Sequence, residues 1–234
     1  MSLQIRPLLR KVFFTQNTLR YIVEWRCIES AWNQFLPRVE TVFDGGAGSG
    51  EYLRRLLTSG RARKVIAQEM DDNNYHRLEQ NLESLEGATL IKGSILDIPL
   101  TDAVADVVMS TQVLEHIEDH QAAATELNRV LKPGGYGIIT TPHPPEPFSN
   151  PEHVREGYTE ADLTALFRPL GWQPIHTDYF LTQPTVRAML RAGNLPLRGM
   201  FMPVAMIDRE RGTTAAQRFE QQPFGILMLF QKAL

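Results

Sequence analysis

Val42-Phe43-Asp44-Gly45-Gly46-Ala47-Gly48-Ser49-Gly50 is the stretch that decides how this chain is read. A short apolar run ends in a carboxylate, and four glycines follow within six residues. Glu51-Tyr52-Leu53-Arg54-Arg55-Leu56-Leu57 comes next, with apolar positions 52, 53, 56 and 57 at helical spacing. Strand, glycine turn and helix in this order open a nucleotide-binding βα unit. Glycine supplies the positive φ of the turn and lets a ligand approach the main chain closely. The helix N-terminus behind it offers unpaired N–H groups.

The spacing narrows the ligand. A dinucleotide fingerprint reads G-x-G-x-x-G, whereas here the order is Gly46, Gly48, Gly50, with Glu51 where the third glycine would stand. A carboxylate facing a pyrophosphate is repelled. Asp44 before the turn points the same way, because an acid there suits an ammonium or ribose hydroxyls. Lys64-Val65-Ile66-Ala67-Gln68-Glu69 reads as the second strand. Glu69 closes it roughly twenty residues past the glycines, where such folds place a carboxylate for ribose 2′- and 3′-OH groups. Further strands are read at 89–92, 104–109, 136–140, 171–180 and 223–232. Tyr75, Leu78, Leu82 and Leu85 mark a helix between the second and third strands, started by Asp71 or Asp72. Residues 120–131 read as an Ala-rich helix, closed by Lys132-Pro133-Gly134-Gly135 as a glycine cap. Thr159-x-x-Asp162 is a capping pattern for a later helix.

Several segments together resemble the class I S-adenosylmethionine (SAM) dependent methyltransferases, of the small-molecule type. They are the glycine turn, Gly93-Ser94-Ile95-Leu96-Asp97, Gln112-Val113-Leu114-Glu115-His116-Ile117-Glu118-Asp119, and Arg129-Val130-Leu131-Lys132-Pro133-Gly134-Gly135. The resemblance covers residues 39–180 well and the last strand fairly. It implies an α/β, Rossmann-like sheet of seven strands, parallel except for an antiparallel last strand, with helices on both faces. It implies SAM as cofactor, held by Asp44, Gly45, Gly46, Ala47, Gly48, Glu69, Met70, Ser94, Ile95 and Gln112. Gln112 would touch the methionine part, and the Ile95 N–H would serve the adenine. Ser94 stands where the family commonly carries Asp, and its hydroxyl can still accept a hydrogen bond. His116 and His153 are the expected catalytic residues, each a base or a wall of the acceptor pocket. His116 and His120 are four apart, like metal ligands on a helix. The helix is expected to begin only near Asp119, so no metal site is assigned.

Composition sets the outer bounds. The chain has 234 residues, 43% hydrophobic and 22% charged, enough for one large α/β domain. A net charge of -3 argues against a general nucleic-acid binder. Cys27 is the only cysteine, which excludes an internal disulfide and fits a reducing cytoplasm. The N-terminal residues lack a signal-peptide core, and the apolar run Phe224 to Phe230 is too short to span a bilayer. The expected organisation is one domain: an N-terminal helical cap (1–38), a cofactor-binding core (39–180), an insertion or lid (181–222) and the last strand (223–234). Residues 8–36 read as one or two helices. Five prolines between 142 and 151 form a wall of the acceptor pocket. The insertion, with Met189, Leu190, Phe201, Met202, Val204, Met206 and Ile207, reads as a second lid, a dimer face or a lipid-facing patch, and a homodimer is one partner it allows. The expected function is SAM-dependent methyl transfer to an O, N or C nucleophile of a small-molecule acceptor. Two rivals stand beside it: a catalytically silent binding protein of the same fold, and a nicotinamide-dependent oxidoreductase, which would want glycine at position 51.

Overall fold

The computed structural model describes residues 13–14, 16–146, 150–193, 202–203, 210 and 212–234. In chain order the elements are β1 (Phe13–Phe14), α1 (Gln16–Phe35), β2 (Val39–Gly45), α2 (Glu51–Thr58), β3 (Ala62–Glu69), α3 (Asp72–Leu82), β4 (Ala88–Lys92) and β5 (Ala105–Thr111). They continue with α4 (His120–Val130), β6 (Leu131–Pro142), α5 (Glu160–Phe167), β7 (Trp172–Thr182), α6 (Gln183–Gly193), β8 (Met202–Pro203), α7 (Ala215–Glu220) and β9 (Pro223–Lys232).

Seven strands form one sheet in the order β4-β3-β2-β5-β6-β9-β7. Neighbours from β4 to β6 pair in parallel, and β9 runs antiparallel between β6 and β7. The order reverses at β2, which places a crevice at the carboxyl ends of β2 and β5. Both faces are covered. Trp32, Leu53, Leu56, Leu78 and Leu82 from α1, α2 and α3 pack on one side, and Leu127, Val130, Leu163 and Phe167 from α4 and α5 on the other. That is why β9 is buried from Pro223 through Phe230 and reads as a continuous apolar run. The local signals behave as their chemistry requires. Asp71 accepts the Asn74 N–H at 2.8 Å to start α3. Thr159 and Asp162 exchange side-chain and main-chain bonds at 3.2 and 2.9 Å as a capping box on α5.

Two expectations need correction. Lys132–Gly135 is not a helix cap. Leu131 is already extended and pairs with Ala105, and the next pair is Val107 with Tyr136, so the segment bulges out of β6. Pro133 has no N–H for the ladder, and Lys132 reaches Asp106 at 2.6 Å from the bulge. Phe13–Phe14, read as helical, instead pairs antiparallel with Met202–Pro203. A partner strand overrides weak local propensity there. Phe201, Val204, Met206 and Ile207 of the insertion, and Pro147 of the proline segment, lie outside the described residues.

Candidate functional site

The glycine turn is tied to the end of β3. The N–H groups of Gly46 and Ala47 both donate to the Gln68 carbonyl at 2.9 Å. The Gly48 N–H donates to Glu69 Oε2 at 2.8 Å. Glu69 Oε1 accepts from the N–H groups of Met70 (2.9 Å) and Asp71 (2.8 Å). Gly46 sits at φ +82°, and a Cβ there would stand 2.4 Å from Val113 Cγ2, so neither conformation nor space admits a side chain. Glu51, in the first turn of α2, is turned onto Arg54 (3.1 Å) and Arg55 (2.9 Å). Gln112 takes the unusual φ of +57°, donates its N–H to the Thr140 carbonyl at 2.9 Å, and leaves its Nε2 buried with no partner among the described residues.

A cavity of about 890 Å³ opens at this crevice. Gly46, Gly48, Glu69, Met70, Ser94, Ile95 and Gln112 line one part of it, and Glu115, His116 and His153 another. Arg20 and Tyr21 of α1, with Leu181, Val186 and Phe224, complete the wall. Three expected cofactor residues stand behind this surface rather than in it. Gly45 and Ala47 serve the turn itself. Asp44 is 1% exposed, its Oδ1 has no partner among the described residues, and burial, then the negative charges of Glu69 and Glu24, push its pKa up to about 7.

The two histidines expected to act on the acceptor meet edge to face, with ring centroids 4.7 Å apart. His116 ends a 3-10 turn (Leu114–His116), and its Nδ1 lies 2.9 Å from the Glu152 carbonyl. A carbonyl only accepts, so Nδ1 carries the proton and Nε2 of the neutral ring keeps the lone pair. His153 Nδ1 lies 2.8 Å from Glu146 Oε1, a close contact outside hydrogen-bond alignment, and burial lowers its pKa. The two segments are fastened together. The Val154 N–H donates to the Glu115 carbonyl at 2.9 Å, and Arg155 donates to the carbonyls of Leu114 (2.7 Å), Ile117 (2.6 Å) and Glu118 (3.1 Å). His120 does not join His116; its Nδ1 lies 2.7 Å from the Tyr158 hydroxyl.

Sequence reading missed Glu115. It is 1% exposed, its Oε2 has no partner among the described residues, and burial drives its pKa up to about 8. The signal was present, because a carboxylate directly beside His116 in an apolar context has to be accounted for. Arg20, Tyr21 and Glu24 of α1 were missed as well. Glu24 is buried and accepts from the hydroxyls of Tyr52 (2.9 Å) and Thr140 (2.6 Å), which ties α1 over the sheet.

Residues 43–139 match the family described as a methyltransferase domain. A Mycolicibacterium smegmatis protein named a probable S-adenosylmethionine-dependent methyltransferase is 33% identical over 134 residues, 54% of this chain and 50% of its own length. A dimethylglycine N-methyltransferase of Parasynechococcus marenigrum is 35% identical over 111 residues, 46% of this chain and 39% of its own. The chain thus spans about half or less of the length of these relatives. The crystal structure of a SAM-dependent methyltransferase from Aquifex aeolicus superposes with a TM-score of 0.61 at 15% identity, over 94% of this chain and 100% of that one, which speaks for the fold. Taken together, residues 43–139 match a methyltransferase-domain family and are similar in sequence to part of proteins named as SAM-dependent methyltransferases.

The cavity suits S-adenosylmethionine, which carries an adenine, ribose hydroxyls, an ammonium, a sulfonium and one carboxylate but no phosphate. The Glu69 carboxylate faces the cavity beside apolar Ile95 and Val113. Gly48 presents open space where a Cβ would stand, and Glu69 lines the cavity beside it. Among the described residues no helix is long and apolar enough to cross a membrane.

Proposed function

We propose that the chain is a SAM-dependent methyltransferase that moves a methyl group to an O, N or C nucleophile of a small-molecule acceptor. The observation that carries this reading is the single cavity lined both by Glu69, Ser94 and Ile95 and by His116 and His153. When bound, the cofactor supplies an electrophilic methyl group on a good leaving group. The protein's share is then to orient the two partners and exclude water. Glu69 would accept from the ribose hydroxyls, and Ser94 and Ile95 would flank the adenine. Arg20 and Tyr21 cover the cavity from α1. His116 keeps a lone pair on Nε2, and His153 stands beside it in the cavity wall. Either can take a proton or hold a group in place, and a proton acceptor is needed only where the nucleophile must lose a proton, as a hydroxyl must. The net charge of -3 supports a small acceptor over a nucleic acid.

The test is calorimetric titration of the protein with S-adenosylhomocysteine, with NAD as control, followed by an acceptor panel. Binding of the former alone, with turnover on one acceptor class, is the expected result. Binding without turnover on any acceptor would favour the silent binding protein, and binding of NAD would overturn the reading.

A further inference from the structure

Glu115, His116 and His153 each offer one ligand atom, and these atoms all lie within 4.8 Å of one another. We propose that this trio is a divalent transition-metal site, and that the cavity takes acceptors offering an oxygen donor to that metal. The second half rests on the methyltransferase reading.

Four observations support the site. Two imidazoles and one carboxylate form a donor set suited to zinc, iron or manganese, and three protein ligands leave coordination positions open for a substrate. Ligand atoms around such an ion stand roughly 3 Å apart, so side-chain shifts of about an ångström close the observed arrangement. The Glu115 carboxylate is 1% exposed and lines the cavity with Oε2 unpartnered. Its only ion-pair neighbour within 4 Å among the described residues is the His116 ring, at 4.0 Å. A carboxyl buried in that way keeps its proton unless a cation joins it, and a bound metal ion would displace that proton.

The third observation concerns the histidines' far nitrogens. Metal-binding imidazoles almost always donate their other N–H to a carbonyl or carboxylate, which fixes the tautomer. His116 Nδ1 does so to the Glu152 carbonyl at 2.9 Å, and His153 Nδ1 stands 2.8 Å from the Glu146 carboxylate. The His116 Nε2 is thereby left for a ligand, and a small turn of the His153 ring into line with Glu146 would leave its Nε2 likewise. Fourth, the trio is held by the main-chain bonds of Val154 and Arg155 already described, so the two loops carrying it are fastened to each other before any ion arrives.

An ion here would have its open positions toward the cavity that also contains Glu69. A hydroxyl ligated to it becomes more acidic and releases its proton to water, so no protein base is required. This narrows the acceptor to molecules with a hydroxyl or a chelating pair of oxygens.

Tag-free protein, stripped with chelator and dialysed, would be titrated calorimetrically with Zn²⁺ and with Mn²⁺. Co²⁺ binding would be followed by its visible absorption. The expected result is one equivalent of metal. Glu115→Gln and His153→Gln should each weaken binding more than tenfold, and Glu146→Gln should weaken it by about 10–100-fold by releasing the His153 ring. S-adenosylhomocysteine binding, measured on the same samples, reports that each variant is folded. Absence of a stoichiometric site in wild type, or wild-type metal affinity in the Glu115→Gln and His153→Gln variants, would overturn the metal site. Metal binding without S-adenosylhomocysteine binding would leave the metal site standing and remove the methyltransferase reading on which the acceptor class depends.

Discussion

Glu69 turns three of its roughly four acceptor positions onto the main chain, at Gly48, Met70 and Asp71. It therefore shapes the glycine turn as well as lining the cavity. Glu69→Ala should weaken S-adenosylhomocysteine binding at least tenfold, about 1.4 kcal/mol, with Glu69→Gln intermediate, by calorimetry. An affinity within twofold of wild type would show that the acid serves neither purpose. Gly46 gives a second residue-level outcome. A side chain there meets Val113 Cγ2 at 2.4 Å and φ is +82°, so Gly46→Asp should abolish cofactor binding and Gly46→Ala should weaken it. Adding Val113→Ala to Gly46→Ala should restore part of the loss, since it removes the clash but not the backbone strain. No recovery would place the whole cost in the backbone. Most of this end was legible in the sequence: an acid after an apolar strand and glycines at fixed offsets are local signals. Asp44 was legible as an acid but not as one standing behind the turn, because burial depends on what other segments pack over it.

At the scale of elements, Arg155 is the fastener between the turn at Leu114–His116 and the loop carrying His153. Its guanidinium caps carbonyls of Leu114, Ile117 and Glu118, and no single hydrogen-bond partner defines it. Arg155→Ala should cost about 1–3 kcal/mol, seen as a lower Tm. Arg155→Lys should recover little, because an ammonium cannot span carbonyls that a planar fork reaches together. S-adenosylhomocysteine affinity should change less than in Glu69→Ala, since the Arg155 bonds lie beside His116 and away from the glycine turn; an equal loss would mean the two ends are not separable. This arrangement was only half legible. His116 and His153 were each picked out, yet their contact was not, because it runs through main-chain carbonyls that carry no residue signature. The bulge at Lys132–Gly135 was misread for the same kind of reason: Lys-Pro-Gly-Gly ends a helix on local grounds, and only the pairing of Leu131 with Ala105 shows the strand already running.

At the scale of the molecule, the buried acid Asp44 makes stability depend on pH. Its folded pKa is raised to about 7, far above an ordinary aspartate, so the native state keeps a proton that the unfolded chain releases. The stability this contributes is complete below about pH 4 and is lost as pH rises through about 7. In cofactor-free protein, Asp44→Asn should flatten the fall in Tm between pH 5 and 8. A slope equal to wild type would mean that Asp44 ionises freely in the fold.

The position of β9 has a consequence for biosynthesis. It is made after both of its partner strands, yet it lies between them in the sheet, hydrogen-bonded to β6 on one side and β7 on the other. Until residues 223–232 have left the ribosome, both of those strands carry open edges facing each other across a strand-wide gap. The sheet cannot zip up as it is translated. The nascent chain must hold two sticky edges apart and then admit β9 between them, so any factor that shields exposed edges during synthesis acts on this sheet at the moment just before it closes.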